Sequence, residues 1–387
     1  MKNGKHINNL SDKEQKNIAE LINILKKLVS LRSDVDSLNN ESKVANYIIN
    51  IFSKLTQWSV KTQQIGAGRK NIIIKNSNNP QIVLIGHQDT VSVNNREQLK
   101  PKIKDNKLYG RGSVDMKSGL AIMIALAKQY TLKNAAFVFT VDEEYHFAGI
   151  KKFVEKNKWK PRLVINPEPT DLKILNQCRG FTEVYLELEG LSTHAGQKHK
   201  GINAIENSVK FASIFENLLQ KNDQNKMKTS TNLAALEGGI LVKDKIIIRP
   251  NVVPDFAKLT IEIRLANPNL TKKEIKKLAL ISAKKVGLKI RKYANGLLFG
   301  PMTAHETHLG DFLFSIKKNK IKPRFMDPNK SGFYEVQLLQ SIWDCPIIVV
   351  GAGPNDKSHQ IDEYVDLNSL KSAYFIIRDF LLSQEII

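Results

Sequence analysis

Ile82-Val83-Leu84-Ile85-Gly86-His87-Gln88-Asp89-Thr90-Val91 joins four consecutive apolar residues to a polar cluster. An apolar run that short, closed by glycine and polar residues, reads as a buried strand whose end delivers polar side chains. The same grammar recurs along the chain. Runs at 71–74, 135–141, 162–165 and 347–350 are also strand-like, and apolar residues three or four apart predict helices over 12–31, 42–55, 119–130, 149–156 and 368–382. Ser11 or Asp12 is suited to cap the first of these helices. Strands alternating with helices imply an α/β layer around a mostly parallel, mixed sheet flanked by helices.

From residue 181 the rhythm changes. A strand at 182–188, a helix at 203–220, strands at 231–236 and 258–265, a helix at 272–286 and a strand at 288–293 give the order β-α-β-β-α-β, the ferredoxin-like split arrangement. Residues 1–180 and 295–387 are therefore expected to form one domain, interrupted by an inserted domain at 181–294. A chain of 387 residues with 42% hydrophobic content can bury cores for both. Neither an internal repeat nor a low-complexity linker interrupts the pattern.

Composition narrows the partners. Lysine and arginine number 59 against 38 acidic residues, a formal net charge of +21. The cations are scattered, neither gathered in one tract nor interleaved with aromatics, so nucleic acid is the weaker explanation and a Lys-rich codon bias the stronger. Cys178 and Cys345 are too few for a disulfide framework and lack a paired metal-binding spacing, which fits a reducing cytoplasm. Residues 1–20 hold no apolar segment of signal-peptide length, and no later run approaches a membrane span; a soluble, unexported protein is expected.

Chemistry-bearing residues cluster at the ends of the predicted strands, where open α/β sheets bind their ligands. His87 can offer a ring nitrogen to a metal, with Asp89 two residues on to hold the other nitrogen. Gly110-Arg111-Gly112-Ser113-Val114-Asp115-Met116-Lys117-Ser118-Gly119 places Asp115 before a helix, where it either caps that helix or serves as a ligand. Asp142-Glu143-Glu144 follows the strand at 135–141. Three adjacent carboxylates repel one another unless a cation or a proton relieves them, and the plain alternative is an exposed loop. Glu168, between Pro167 and Pro169, sits on stiff backbone that suits an immobile ligand. Gly351-Ala352-Gly353-Pro354 leads to Ser358-His359-Gln360 and lacks the Lys-Ser/Thr ending of a phosphate-binding loop. Two histidines and several carboxylates, each at a strand end, make a nitrogen and oxygen set suited to two divalent ions.

In these motifs, their order and their spacing, the chain resembles the zinc metallopeptidase family of aminoacylase, carboxypeptidase G, acetylornithine deacetylase and succinyl-diaminopimelate desuccinylase. The resemblance implies that His87 and Glu168 bind one metal, that Glu144 and His359 bind the other, and that Asp115 bridges them. It implies that Asp89 orients His87 and that Glu143 is the general base. The ions would be zinc, with cobalt or manganese also accepted. The discontinuous domain would be catalytic, and the insert a lid and homodimerisation domain. Within the insert, His194 in Ser192-Thr193-His194-Ala195-Gly196 corresponds to an oxyanion-stabilising histidine that often comes from a dimer partner. Asn251 and Arg264 match positions near the substrate carboxylate, and Arg179 resembles a carboxylate-binding arginine of the desuccinylase branch. A surface ion pair is the alternative for either arginine.

Glu168-Pro169-Thr170-Asp171-Leu172 and Arg179 favour a deacylase of small N-acyl amino acids, with a dipeptidase or carboxypeptidase as the alternative and a metal-free binding protein on the same scaffold as a third. Two departures stand out. Ser118 replaces a second glycine of many members, and Lys330-Ser331-Gly332-Phe333-Tyr334-Glu335 replaces a Gly/Thr/Ser-rich substrate loop that is usually followed by Asp. Phe333 and Tyr334 would add bulk there. His6, His146, His199, His305 and His308 match no motif and are expected at the surface or in packing.

Overall fold

The computed structural model describes residues 10–34, 41–66, 68–221, 223, 226–304 and 309–384. His6, His305 and His308 lie outside the described residues. The chain divides into two compact units: Met1–Asn176 with Thr303–Asp327 and Tyr334–Ile387, and Gln177–Met302 with Pro328–Phe333.

The first unit is built on a six-stranded sheet in the order Ser59–Gly66, Arg69–Lys75, Ala135–Thr140, Ile82–His87, Leu163–Asn166, Ile347–Val349. The last four strands are mutually parallel and buried along their whole length, which is why they read as unbroken apolar runs. The Arg69–Lys75 strand is antiparallel to its neighbour and pairs through a hairpin with Ser59–Gly66. That edge strand was not anticipated, because SVKTQQIG is mostly polar and its residues are exposed or half-buried.

Helices cover the sheet for recognisable reasons. Ser11 caps the Asp12–Ser30 helix in a reciprocal capping box with Glu14, and Ile18, Leu21, Leu25 and Leu28 bury one stripe of it. This helix packs on Lys117–Gln129, which is buried nearly all round and so forms the middle of the core. Leu367–Ser383, capped by Asp366, closes the unit.

Parallel strands align their carboxyl ends, so His87, Thr140, Asn166 and Val349 finish along one edge of the sheet. A small three-stranded sheet, Lys102–Lys104, Lys107–Tyr109 and Tyr364–Asp366, ties the chain just before Asp115 to the chain just after His359.

The second unit has an antiparallel five-stranded sheet in the order Lys245–Ile247, Ser230–Val242, Phe256–Leu265, Gly180–Glu189, Lys289–Phe299. Its strands alternate buried and open residues. Val184, Leu186, Leu259, Ile261 and Ile263 face the helices Ala204–Gln220 and Lys272–Lys285. The edges of this unit run slightly wider than 181–294 because its aromatic cluster recruits a distant segment. Phe333 lies 4.4 Å from Phe299 and 6.0 Å from Phe181, centroid to centroid, and Arg179 Nη2 donates to the Asn329 carbonyl at 2.6 Å. Tyr334 is buried in the first unit.

Candidate metal centre

The five side chains singled out as ligands belong to one unit and meet at the carboxyl edge of its sheet. His87 ends its strand and is 1% exposed. Its Nδ1 lies 3.0 Å from the Asp89 carbonyl oxygen and 3.6 Å from the Asp89 carboxylate. Two acceptors facing Nδ1 keep a proton on that nitrogen, which leaves Nε2 as the one turned toward the site. That Nε2 is 3.3 Å from Asp115 Oδ1 and 3.2 Å from Glu168 Oε1. The other oxygen of Asp115 points elsewhere: Oδ2 is 3.4 Å from His359 Nε2, which is 3.2 Å from the Glu144 carboxylate. Two groups of ligand atoms, His87 with Asp115 and Glu168, and Asp115 with Glu144 and His359, therefore share one aspartate.

Each candidate ligand is held by its own local structure. Asp115 does not cap the following helix, whose N-cap is Met116 with no side-chain hydrogen bond, so its carboxylate stays available. Ser118, the departure from a second glycine, is buried and donates to the Val114 carbonyl at 3.0 Å. The Pro167 and Glu168 backbone is clasped by two glycines: a Cβ on Gly119 would stand 2.4 Å from the Pro167 oxygen, and one on Gly351 would stand 2.4 Å from the oxygens of both Pro167 and Glu168. His359 is the most open ligand, 52% exposed, on a loop where its own φ is +66°.

Asp142, Glu143 and Glu144 part company. Asp142 turns away to accept from Arg69 at 3.0 Å and from the Ala148 amide at 3.2 Å, while Arg69 also binds Glu41. Glu144 is drawn in by its amide, which donates to Asp89 Oδ2 at 3.0 Å. Asp89 thus steadies both His87 and the acidic loop. Glu143 has a carboxylate within 4.8 Å of ligand atoms of His87 and Glu144, and it is not grouped with Asp115, Glu168 or His359.

The electrostatics call for positive charge. Burial, with the nearby carboxylates, pushes Glu143 well above the ordinary range, raises Glu144, and raises Glu168 to about 7. His359 is held up at about 10 by the carboxylates of Asp115 and Glu144. Burial disfavours the His87 cation, yet Glu168, Asp115 and Asp89 outweigh it and keep the ring protonated well above its usual value. Asp115 is opposed by burial and still lies far below the carboxylate range because both histidines face it.

Geometry fits two divalent cations. Two ligand atoms on a tetrahedral ion with bonds of about 2.0–2.1 Å stand about 3.3–3.4 Å apart, and the four imidazole to carboxylate separations run from 3.2 to 3.4 Å. The donor set of imidazole and carboxylate suits zinc, cobalt or manganese.

Sequence reading had assigned no role to three buried groups around the centre. Glu335, 1% exposed, accepts from Thr140 Oγ1 at 2.5 Å and leaves its Oε2 without a hydrogen bond; burial pushes it up to about 8. Arg111 and Glu363 form a buried pair beside Asp115 at 2.8 Å. The available signal was an acidic residue four positions after His359, too weak to read alone.

In the second unit His194 is exposed, and its Nδ1 accepts from the Gly196 amide at 3.1 Å, which puts the ring N–H at Nε2. Asn251 is beside it, its carbonyl accepting from the Ala195 amide at 2.8 Å. Arg179 and Arg264 gather at a different place: Arg179 Nη1 donates to Ser230 Oγ at 2.8 Å, and Ser230 pairs across the sheet with Arg264. Arg264 pairs with Glu262 at 2.7 Å and lies over the Phe181 ring at 5.2 Å. His146 and His199 are exposed.

Comparison with known proteins adds four findings. Residues 83–383 match Peptidase family M20/M25/M40. An acetylornithine deacetylase of Buchnera aphidicola subsp. Acyrthosiphon pisum is 25% identical over 374 residues, covering 90% of this chain and 94% of that protein. Among solved structures, a tripeptidase of Staphylococcus aureus superposes with a TM-score of 0.73 at 20% identity, covering 94% of this chain and 97% of the other. A dinuclear metal-binding peptidase of Bacillus subtilis gives 0.66 at 14% identity, covering 96% and 100%. At those identities the two structures establish the shared fold.

Proposed function

Since the chain belongs to Peptidase family M20/M25/M40, a family that hydrolyses amide bonds, we propose that it is a two-zinc deacylase of small N-acyl amino acids. The observation that carries the reading is Asp115, whose two oxygens face two different histidines, each joined by a glutamate. His87 and Glu168 would hold one cation, Glu144 and His359 the other, and Asp115 both. Cations bound there supply Lewis acidity, favouring hydroxide over water and polarising the scissile carbonyl.

The remaining work falls to this chain's own residues. Asp89 holds His87 in the tautomer that directs Nε2 inward. Glu143 takes the proton of the attacking water as the base and, as the acid so formed, passes it to the leaving nitrogen; burial raises its affinity for that proton. His194 is assigned to the developing oxyanion, for which its Nε2–H is the matching donor. Arg179, Arg264 and Asn251 are assigned to the substrate carboxylate; an arginine fork can meet it with two parallel hydrogen bonds. The insert is assigned the lid and homodimer roles, and sedimentation tests the latter. Cytoplasmic location is part of the same proposal. Among the described residues no helix is long and apolar enough to cross a membrane.

The 25% identity to an acetylornithine deacetylase along nearly the whole chain supports acyl amino acids over peptides. Zinc- or cobalt-reconstituted protein is assayed on N-acetylornithine, N-succinyl-diaminopimelate and dipeptides, with Glu143→Ala as the blank. Release of the free amino acid from an acyl substrate is expected. Turnover of dipeptides alone would replace the deacylase reading with a peptidase.

A further inference from the structure

We infer that the buried Arg111 and Glu363 pair is a strut that fixes the separation of Asp115 from His359, and so bears more on the second cation's half of the centre than on the first. The inference rests on the two-cation reading above. Both side chains are 2% exposed. Glu363 Oε2 accepts from Arg111 Nη1 at 2.8 Å and from the Gly112 amide at 3.0 Å, while Oε1 accepts from the amides of Val114 at 3.0 Å and Asp115 at 3.2 Å. One carboxylate thus gathers the turn that carries the shared aspartate. Arg111 completes the link in the other direction, donating through the same Nη1 to the Gln360 carbonyl at 3.2 Å and through Nε to the Ser92 carbonyl at 3.1 Å. Gln360 follows His359 directly. The backbone adds a further tie, Gly110 N–H to the Glu363 carbonyl at 3.0 Å.

Two loops some 250 positions apart in the chain are therefore clamped to each other through one ion pair. A buried pair is tolerated only when its hydrogen bonds are complete, and each oxygen of Glu363 has two donors. Neither residue reaches a ligand atom of the cations, so both are positioning residues. Their reach is also uneven, because Asp115 serves both cations while only the second depends on His359 as well. His87 ends a strand of the central sheet and Glu168 stands two residues past the end of another, so neither depends on the strut for its placement. His359 has no such anchor: it is the exposed ligand, in a left-handed conformation that an L-residue holds only when its surroundings fix it.

Glu363→Gln is the direct test, because it keeps the size and removes the charge that four N–H groups share. Zinc alone is titrated into metal-free wild type and variant, and bound metal is counted by equilibrium dialysis with elemental analysis, beside the melting temperature of each metal-free protein. Wild type is expected to bind two ions. The variant should lose about 10- to 100-fold in the second, the effect usual for residues that support metal ligands, and clearly less in the first, where only the shared aspartate is disturbed. Arg378→Met breaks another partly buried pair of the same unit, with Glu14 and Asp379; it should lower the melting temperature and leave both affinities intact. If wild type binds fewer than two ions, the two-cation reading fails. If wild type binds two and Glu363→Gln binds both unchanged, or loses both equally, the strut inference is overturned. Should Glu363→Gln not fold, Arg111→Lys keeps the charge without the fork. It is expected to weaken the second ion more than the first, and wild-type affinities or equal losses would again overturn the inference.

Discussion

Gly351→Ala tests how the centre is held by backbone alone. The added methyl carbon would stand 2.4 Å from the carbonyl oxygens of both Pro167 and Glu168 and 2.7 Å from the Pro167 carbonyl carbon. None of these is a side chain that can rotate aside. Relief to an ordinary contact requires a displacement of about 1 Å, and Pro167 and Pro169 stiffen the segment that must move. Overpacking of this kind costs about 1–3 kcal/mol, which in a unit of this size lowers the melting temperature by about 2–12 °C. The displaced residue is Glu168, whose carboxylate is 3.2 Å from His87 Nε2, and a shift of about 1 Å at a reacting centre can cost about 100-fold in rate. The assay is a thermal melt with a zinc titration and turnover, using Gly66→Ala as the control, since nothing lies within 4 Å of a Cβ at Gly66. Loss of melting temperature and of first-site affinity in the Gly351 variant only is expected. A Gly351→Ala protein that matches wild type in melting, affinity and rate would refute the claim that this contact positions Glu168.

Three further outcomes follow from the site. Glu143→Ala should keep two bound ions and lose about 100- to 10,000-fold in kcat; a fully active variant would remove Glu143 as the base. Loading with zinc at about 100 times its dissociation constant should stabilise the fold by about 2.7 kcal/mol, and an unchanged melting temperature would contradict a site formed only in the native state. The metal-free protein should also lose stability between about pH 5 and pH 10. Burial lifts Glu168 to about 7 and Glu335 to about 8, and the carboxylates facing His359 lift it to about 10. All three values exceed those of the unfolded chain, so the native state holds more protons and is weakened as pH rises through them. Zinc replaces those protons, so the loaded protein should not follow the decline. A metal-free melting temperature that climbs over this range would show that the carboxylates are relieved by other means.

The legible part of the fold was the part whose burial is continuous. Ile82–His87 and Ala135–Thr140 are wholly buried, and their apolar runs announced both the strands and the polar residues at their ends. Direction was not legible: Arg69–Lys75 is as apolar at Ile72, Ile73 and Ile74 as its parallel neighbours, yet it runs antiparallel, because periodicity is the same either way. Exposed pieces such as Ser59–Gly66 and Lys102–Lys104 carry no apolar signature at all. The ligand candidates were visible because each sits where a strand or turn ends, whereas their grouping into cation pairs came from resemblance. Arg111 and Glu363 stayed hidden because hydrogen bonds between loops 252 positions apart leave no local pattern in the chain.

Anomalous diffraction from a zinc-loaded crystal addresses the central claim most directly. Two peaks about 3.5–4 Å apart are expected, one in contact with His87 and Glu168, the other with Glu144 and His359, and one oxygen of Asp115 on each. A single peak, or a pair that leaves Asp115 uncoordinated, would contradict the shared-aspartate centre on which the proposed hydrolysis depends.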